Sequence, residues 1–279
     1  VRGALEALRR VRLVAGLTFK EAVRQRFFNA LLVIAVALVG ASAFLGEFDF
    51  GGEGAVKFVV DFGFGALLLF GSVLAIVGTT QLFFNELESR TALTLLAKPI
   101  RRGEFLVGKF LGTAALTWMF AAVMAAVVAA LVFWRHTSPG DGWSGAPAVD
   151  PRYADIAVYA LLQALKFAVL GAMALCVASF AQTPLYTMLV SFVALVICQL
   201  QYIARDAYGG LESMLARAFV GLLALVFPNF QVFNLGEQLV LGDNAGLEAA
   251  ALARVAGYAL AYTAVFLGLA HLNFRRREV

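Results

Sequence analysis

The sequence predicts an all-α integral membrane protein with six transmembrane helices, and three observations carry the prediction. Of its 279 residues, 62% are hydrophobic and only 14% are charged, whereas a soluble domain holds about 25% charged residues. The charges are spaced so that they leave uncharged windows of about 20 residues or more, the length that crosses a hydrocarbon core. The basic residues also gather on one side of the windows so defined. A soluble enzyme, a disordered chain and a nucleic-acid binder are excluded, despite the net charge of +4.

Residues 1–26 come first. Leu5, Leu8, Val11, Leu13, Leu17 and Val23 recur near helical spacing with arginines and Lys20 between them. This pattern predicts a basic amphipathic helix lying in the inner headgroup region. The segment is too rich in arginine to be a cleavable signal peptide.

The predicted spans cover residues 27–46, 62–84, 110–134, 156–181, 185–203 and 255–274. The fourth and fifth share a run of 38 uncharged residues, 167–204, which Gln182-Thr183-Pro184 divides into two helices joined by a tight turn. A further uncharged stretch, 218–236, contains Pro228-Asn229, with Gln231 and Asn234 just beyond. A break of that kind exposed to lipid would leave backbone groups unpaired. Residues 211–236 are therefore expected to form an outer re-entrant or interfacial element rather than a seventh span.

Six spans put both termini on one side together with the loop of residues 85–109. That side then carries 15 basic and 6 acidic residues, and the other carries 6 basic and 12 acidic. The positive-inside rule makes the first side cytoplasmic. A seventh span would carry the cluster Arg275–Arg277 across. The whole chain, 1–279, reads as a single transmembrane domain.

Residues able to do chemistry are scarce. Cys176 and Cys198 sit in apolar runs and read as small buried hydrophobes. His136 and His271 lie far apart with no ligand cluster around them, so neither a metal site nor a catalytic centre is expected. The run Gly103 to Lys109 has the spacing of a phosphate-binding loop, but Phe110 stands where Ser or Thr would hold magnesium. Lys166 is the only lysine or arginine inside a predicted span. It is expected to snorkel toward the outer headgroups, with contact to a substrate or pairing with Asp61 as the alternatives.

The loop of residues 85–109 is the most informative segment. Residues 85–97 have helix-forming character with Leu87, Leu95 and Leu96 apolar, and Pro99 ends that helix. The run Glu88-x-Arg90-Thr91, followed by Leu95-Leu96-Ala97-Lys98-Pro99-Ile100-x-Arg102-x-Glu104-Phe105-x-x-Gly108-Lys109, resembles the loop between spans two and three of ABC-2 type permeases, the membrane subunits of type V ABC exporters. The basic N-terminal helix, the six spans and the segment Pro228-Asn229-Phe230-Gln231-x-Phe233-Asn234 extend the resemblance across the chain.

The resemblance implies that the loop helix is a coupling helix docking on a separate ATPase subunit. Glu86, Glu88, Arg90, Thr91, Leu95, Lys98, Pro99, Arg101 and Glu104 would then lie at or beside that interface. It further implies a second permease copy or a sister permease, Mg-ATP bound only by the partner ATPase, and a bacterial plasma (inner) membrane location. Tyr202, Tyr208, Phe227 and Phe230 would form an outer gate. No cofactor, metal or nucleic acid is expected in this chain, and lipids surround it. The rival readings are a six-span scaffold or force-transmitting subunit, and a secondary transporter outside the ABC class that works through Lys166.

Overall fold

The computed structural model describes residues 2–45, 53–88, 101–137, 153–207, 226–234 and 249–276, together with Ala218 and Gly221. Among these, every regular element is helical. α1 spans Arg2–Arg24, α2 Arg26–Leu45, and α3 Glu53–Val73. A π-helical turn, Leu74–Gly78, joins α3 to α4, Thr79–Glu88. Then come α5, Arg102–Thr137, α6, Tyr153–Phe180, and α7, Pro184–Ala207. A 3-10 turn at Phe230–Asn234 and α8, Ala249–Arg276, complete the order. Among the described residues, six helices are long and apolar enough to cross a membrane: α2, the α3–α4 pair, α5, α6, α7 and α8.

The helices outrun the uncharged windows. α5 has 36 residues and begins at Arg102, which makes it about 54 Å long against a hydrocarbon core of about 30 Å. Hydropathy reads the thickness of that core, whereas helix hydrogen bonding continues through charged residues wherever their side chains find partners. Gly103 lies inside α5, in its first turn. Glu104 stands in its first turn and accepts the Arg101 backbone N–H at 3.3 Å, which is one half of a capping box.

α6 is the most buried of the six, and α3, α5, α7 and α8 pack around it. α3 and α6 run in the same direction. Phe64 stacks on Tyr159 with ring centroids 3.8 Å apart, and two turns further on Gly71 lies flush against the Phe167 ring, where a Cβ would overlap it. Between α6 and α7 the chain turns in three residues. Thr183 accepts the Tyr186 N–H on its hydroxyl at 3.4 Å, and Pro184 opens α7 at a position where its missing donor costs nothing.

α1 is placed by packing rather than by its apolar stripe. Val14, Thr18 and Ala22 are buried, and Val14 and Thr18 press on Gly108 and Gly112 of α5, where a Cβ would come within 2.7 Å and 2.6 Å of them. These two glycines allow the close helix packing that seats the N-terminal helix on α5. Of the residues expected to form one membrane face, Leu5, Leu8, Leu13 and Leu17 are exposed. Val11 turns inward, its carbonyl 3.2 Å from the point where a Gly108 Cβ would sit.

Candidate functional site

Two regions concentrate polar side chains in this apolar bundle. The first is at the end that carries both termini, where α4 runs into the loop of residues 89–100 and α5 leads out of it. That loop, with Arg90, Thr91, Leu95, Lys98 and Pro99, lies outside the described residues. So does the side chain of Glu88, which ends α4.

Lys109, one per cent exposed, sits on the inner face of α5. It donates to the Leu82 carbonyl at 2.9 Å and pairs with Glu86 of α4. The phosphate-loop spacing around Lys109 therefore serves helix pairing. Glu104 takes Arg10 of α1 in a two-pronged contact, Nε to Oε2 at 2.8 Å and Nη2 to Oε1 at 2.9 Å. The hydrogen bond to Glu104 raises the Arg10 guanidinium above its ordinary value. Arg102 donates to the Phe274 and Arg275 carbonyls, each at 3.2 Å. It thereby satisfies carbonyls that the end of α8 leaves without helical partners. Phe83, Phe105 and Phe274 form one aromatic cluster beneath these bonds.

Of the predicted coupling residues, Glu86 and Glu104 are thus engaged inside the chain, whereas Arg101 is exposed at the mouth of the loop. Reading the sequence missed Lys109, Arg102 and Arg10 as the groups that hold the stems. Their partners are 23 to 173 residues away, and nothing local marks them.

The second region lies toward the opposite end. Residues 226–234 enter the bundle, with Phe230 and Phe233 fully buried. Three spanning helices hold the segment. From α7, Gln201 donates to the Phe227 carbonyl at 2.9 Å. From α8, the Tyr258 hydroxyl accepts the Asn229 N–H at 2.7 Å. From α6, Gln163 donates to Asn234 Oδ1 at 3.2 Å. Within the segment, Asn229 Oδ1 accepts the Gln231 N–H and Asn234 donates to Gln231 Oε1. This internal network lets an irregular backbone stand at membrane depth.

Of the predicted gate residues, Phe227 and Phe230 are on this segment. Tyr202 is exposed on α7, and its neighbour Gln201 makes the contact instead. Tyr208 lies outside the described residues.

Lys166 does not snorkel. It is fully buried, half-way along the 28-residue α6, and its Nζ stands 5.5 Å from the centroid of the Phe230 ring. Asp61, named as one alternative partner, lies on α3 one turn before Phe64, which stacks on Tyr159 of α6. A polar pair at i and i+3, Gln163 and Lys166, on an otherwise apolar helix was the sequence signal for this region.

The profile of the ABC-2 family transporter proteins matches residues 12–279, from the second half of α1 through every span to the final residue. No curated protein matches the sequence. A helical bundle of six spans, matched over nearly its whole length, is a multi-pass membrane protein, and the chain belongs to the ABC-2 family of transporter proteins.

Proposed function

We propose that this chain is the permease subunit of an ATP-driven ABC-2 exporter, forming the translocation pathway with a second copy or a sister permease. Two separate ATPase chains bind Mg-ATP below the membrane and drive the switch in access. Both termini face the cytoplasm of a bacterial inner membrane, in keeping with the charge asymmetry of the loops.

The observation that carries the reading is the interlocked terminal end. A push on the loop of residues 89–100 meets two stems joined by Lys109 and Glu86. α5 is in turn tied to α1 through Glu104 and Arg10 and to α8 through Arg102. Such a load passes into α1, α4, α5 and α8 together instead of bending one loop. Glu88, Arg90, Thr91, Leu95, Lys98, Pro99 and Arg101 supply the outward contacts to the ATPase, and Glu86 and Glu104 stiffen the mount. At the other end, Phe227 and Phe230 gate the pathway, and Tyr202 and Tyr208 are assigned to the same gate.

The test is a pull-down of the solubilised chain from its native membrane, with and without the double change Glu88→Lys plus Arg90→Glu. A P-loop ATPase that accompanies the wild type and is lost from the double variant supports the reading. A wild-type preparation that brings no ATPase overturns it.

A further inference from the structure

α1 is bonded into the bundle along one side, and its other side carries a line of cations that the permease reading leaves unused. Arg10, Val14 and Thr18 meet Glu104, Gly108 and Gly112 of α5 at a constant offset of 94 residues, so α1 runs alongside the first turns of that helix. Arg9, Arg12, Lys20 and Arg24 are exposed. With Gly16 between them they follow one another every three or four residues, which puts them on one face, opposite the buried Val14, Thr18 and Ala22. The line runs about 22 Å along the helix. None of the four pairs with an acidic side chain among the described residues. Glu6, the exposed acid of α1, lies one turn from Arg10 and acts on that residue.

Large apolar side chains stand beside these cations. Leu8 borders the line on one flank, Leu13 and Leu17 border it on the other, and Leu5 lies one turn before Arg9. Each of the four leucines is at least 60% exposed. Water suits the cations and not the leucines, whereas the boundary between lipid headgroups and acyl chains takes both. The helix stands at that boundary. Gly108 and Gly112 straddle the point where α5 passes from its charged stem to the uncharged window that opens at Phe110, and Gln25 alone separates α1 from the spanning helix α2.

We propose that the cationic face of α1 docks on anionic phospholipid headgroups of the leaflet on the side of the termini, so that α1 is held between α5 and that leaflet. Headgroup phosphates line up along Arg9, Arg12, Lys20 and Arg24, while the leucines reach the start of the acyl chains. Gly16 keeps the middle of the face flat. Nothing lies within 4 Å of the point where its Cβ would stand, so internal packing does not demand a glycine there, and a headgroup can approach the backbone between Arg12 and Lys20. The inference goes beyond the permease reading and does not need it.

The test places the full-length chain, without any ATPase, in nanodiscs of phosphatidylcholine alone and in nanodiscs that are roughly one-third phosphatidylglycerol. Amide hydrogen exchange over residues 5–24 is read against exchange over α6 as an internal reference. Each Lys or Arg near an anionic surface strengthens binding about fivefold. With four of them, exchange over α1 should slow at least tenfold in the anionic discs while exchange over α6 stays the same. The combined change Arg9→Gln, Arg12→Gln, Lys20→Gln and Arg24→Gln should abolish the difference. Arg9→Lys/Arg12→Lys/Arg24→Lys should keep it, because the field of the leaflet acts on charge and not on the guanidinium fork. The wild-type comparison and the lysine variant decide the matter even where the glutamine variant fails to fold. Equal exchange over α1 in the two compositions overturns the proposal and leaves the face to an acidic protein. An equal slowing over α6, a response undiminished in the glutamine variant, or one lost in the lysine variant overturns it as well.

Discussion

Removing the two members of the Lys109–Glu86 pair one at a time should not cost the same, and the structure says which loss is worse. Lys109 is one per cent exposed and Glu86 is 16% exposed. Glu86→Leu leaves the ammonium sealed in the bundle with the Leu82 carbonyl as its remaining partner. That is an uncompensated buried charge, and it costs about 3–5 kcal/mol. Lys109→Met leaves a carboxylate near the surface, which can turn to water or take up a proton, and costs about 1–3 kcal/mol. The double variant Glu86→Leu/Lys109→Met replaces the pair by apolar side chains of similar size and should fall within about 1 kcal/mol of the wild type. Reversible unfolding in mixed micelles measures all four proteins and closes the cycle. The expected coupling is about 3 kcal/mol or more. Single losses that simply add in the double variant, or a larger loss for Lys109→Met than for Glu86→Leu, would refute the assignment of a buried clamp.

Other outcomes follow from the same packing. A Cβ on Gly112 would lie 2.6 Å from Thr18 Cβ and 2.8 Å from the Ala15 carbonyl, and the backbone oxygen cannot swing aside. Gly112→Ala should therefore destabilise by about 1–3 kcal/mol. Gly257→Ala, with nothing within 4 Å, should be neutral or gain up to about 1 kcal/mol from helix propensity; thermal unfolding in detergent compares the two. Tyr258→Phe strips the acceptor from the Asn229 N–H and should cost about 1–3 kcal/mol, while raising hydrogen exchange at Asn229. Added salt should speed proteolysis within α1 of the wild type and have less effect in Glu104→Gln, because the Arg10 contact is open to screening.

The spans were legible because an uncharged window is a direct imprint of hydrocarbon thickness on sequence. Helix ends were less so, and Lys109 shows why. A charge normally closes a window, yet this one is neutralised across 23 residues of sequence by Glu86, and the helix runs through it. The N-terminal helix forms where its spacing predicts, at Arg2–Arg24, and Leu5, Leu8, Leu13 and Leu17 stay exposed along it. Its seat was harder to read: Gly108 and Gly112 mark a close packing position, but a small-residue pair does not say which helix will come. Lys166 was read from the average behaviour of lysine, which snorkels when an interface is within reach. Thirteen residues from the start of α6, about 20 Å along the axis, it has none. The ties that hold residues 226–234 join that segment to Gln163, Gln201 and Tyr258 across 26 to 71 residues, and no local pattern carries them.

The π turn at Leu74–Gly78 separates the half of the second span that packs on Phe167 from the half that carries Glu86. A π turn is one residue inserted into an α-helix with the faces on either side kept in register. Here the Thr79 N–H is shared between the Ala75 and Ile76 carbonyls, and the Thr80 hydroxyl also donates to the Ile76 carbonyl at 2.7 Å. Deleting Val77, half-buried within the turn, should therefore relax it to α-helix and leave Gly71 against Phe167 and Glu86 against Lys109. Deleting Leu69, which is exposed on α3, removes a residue from regular helix. It turns everything on one side by about 100° relative to the other and must break one of those two contacts. The measurement is the Glu86–Lys109 coupling energy repeated in each deletion background. Coupling kept without Val77 and lost without Leu69 identifies the π turn as a spare residue in an otherwise continuous lever. Coupling lost in both would mean that the wide turn itself aims Glu86 at Lys109. In that case the geometry of Leu74–Gly78 is what orients the stem of the loop.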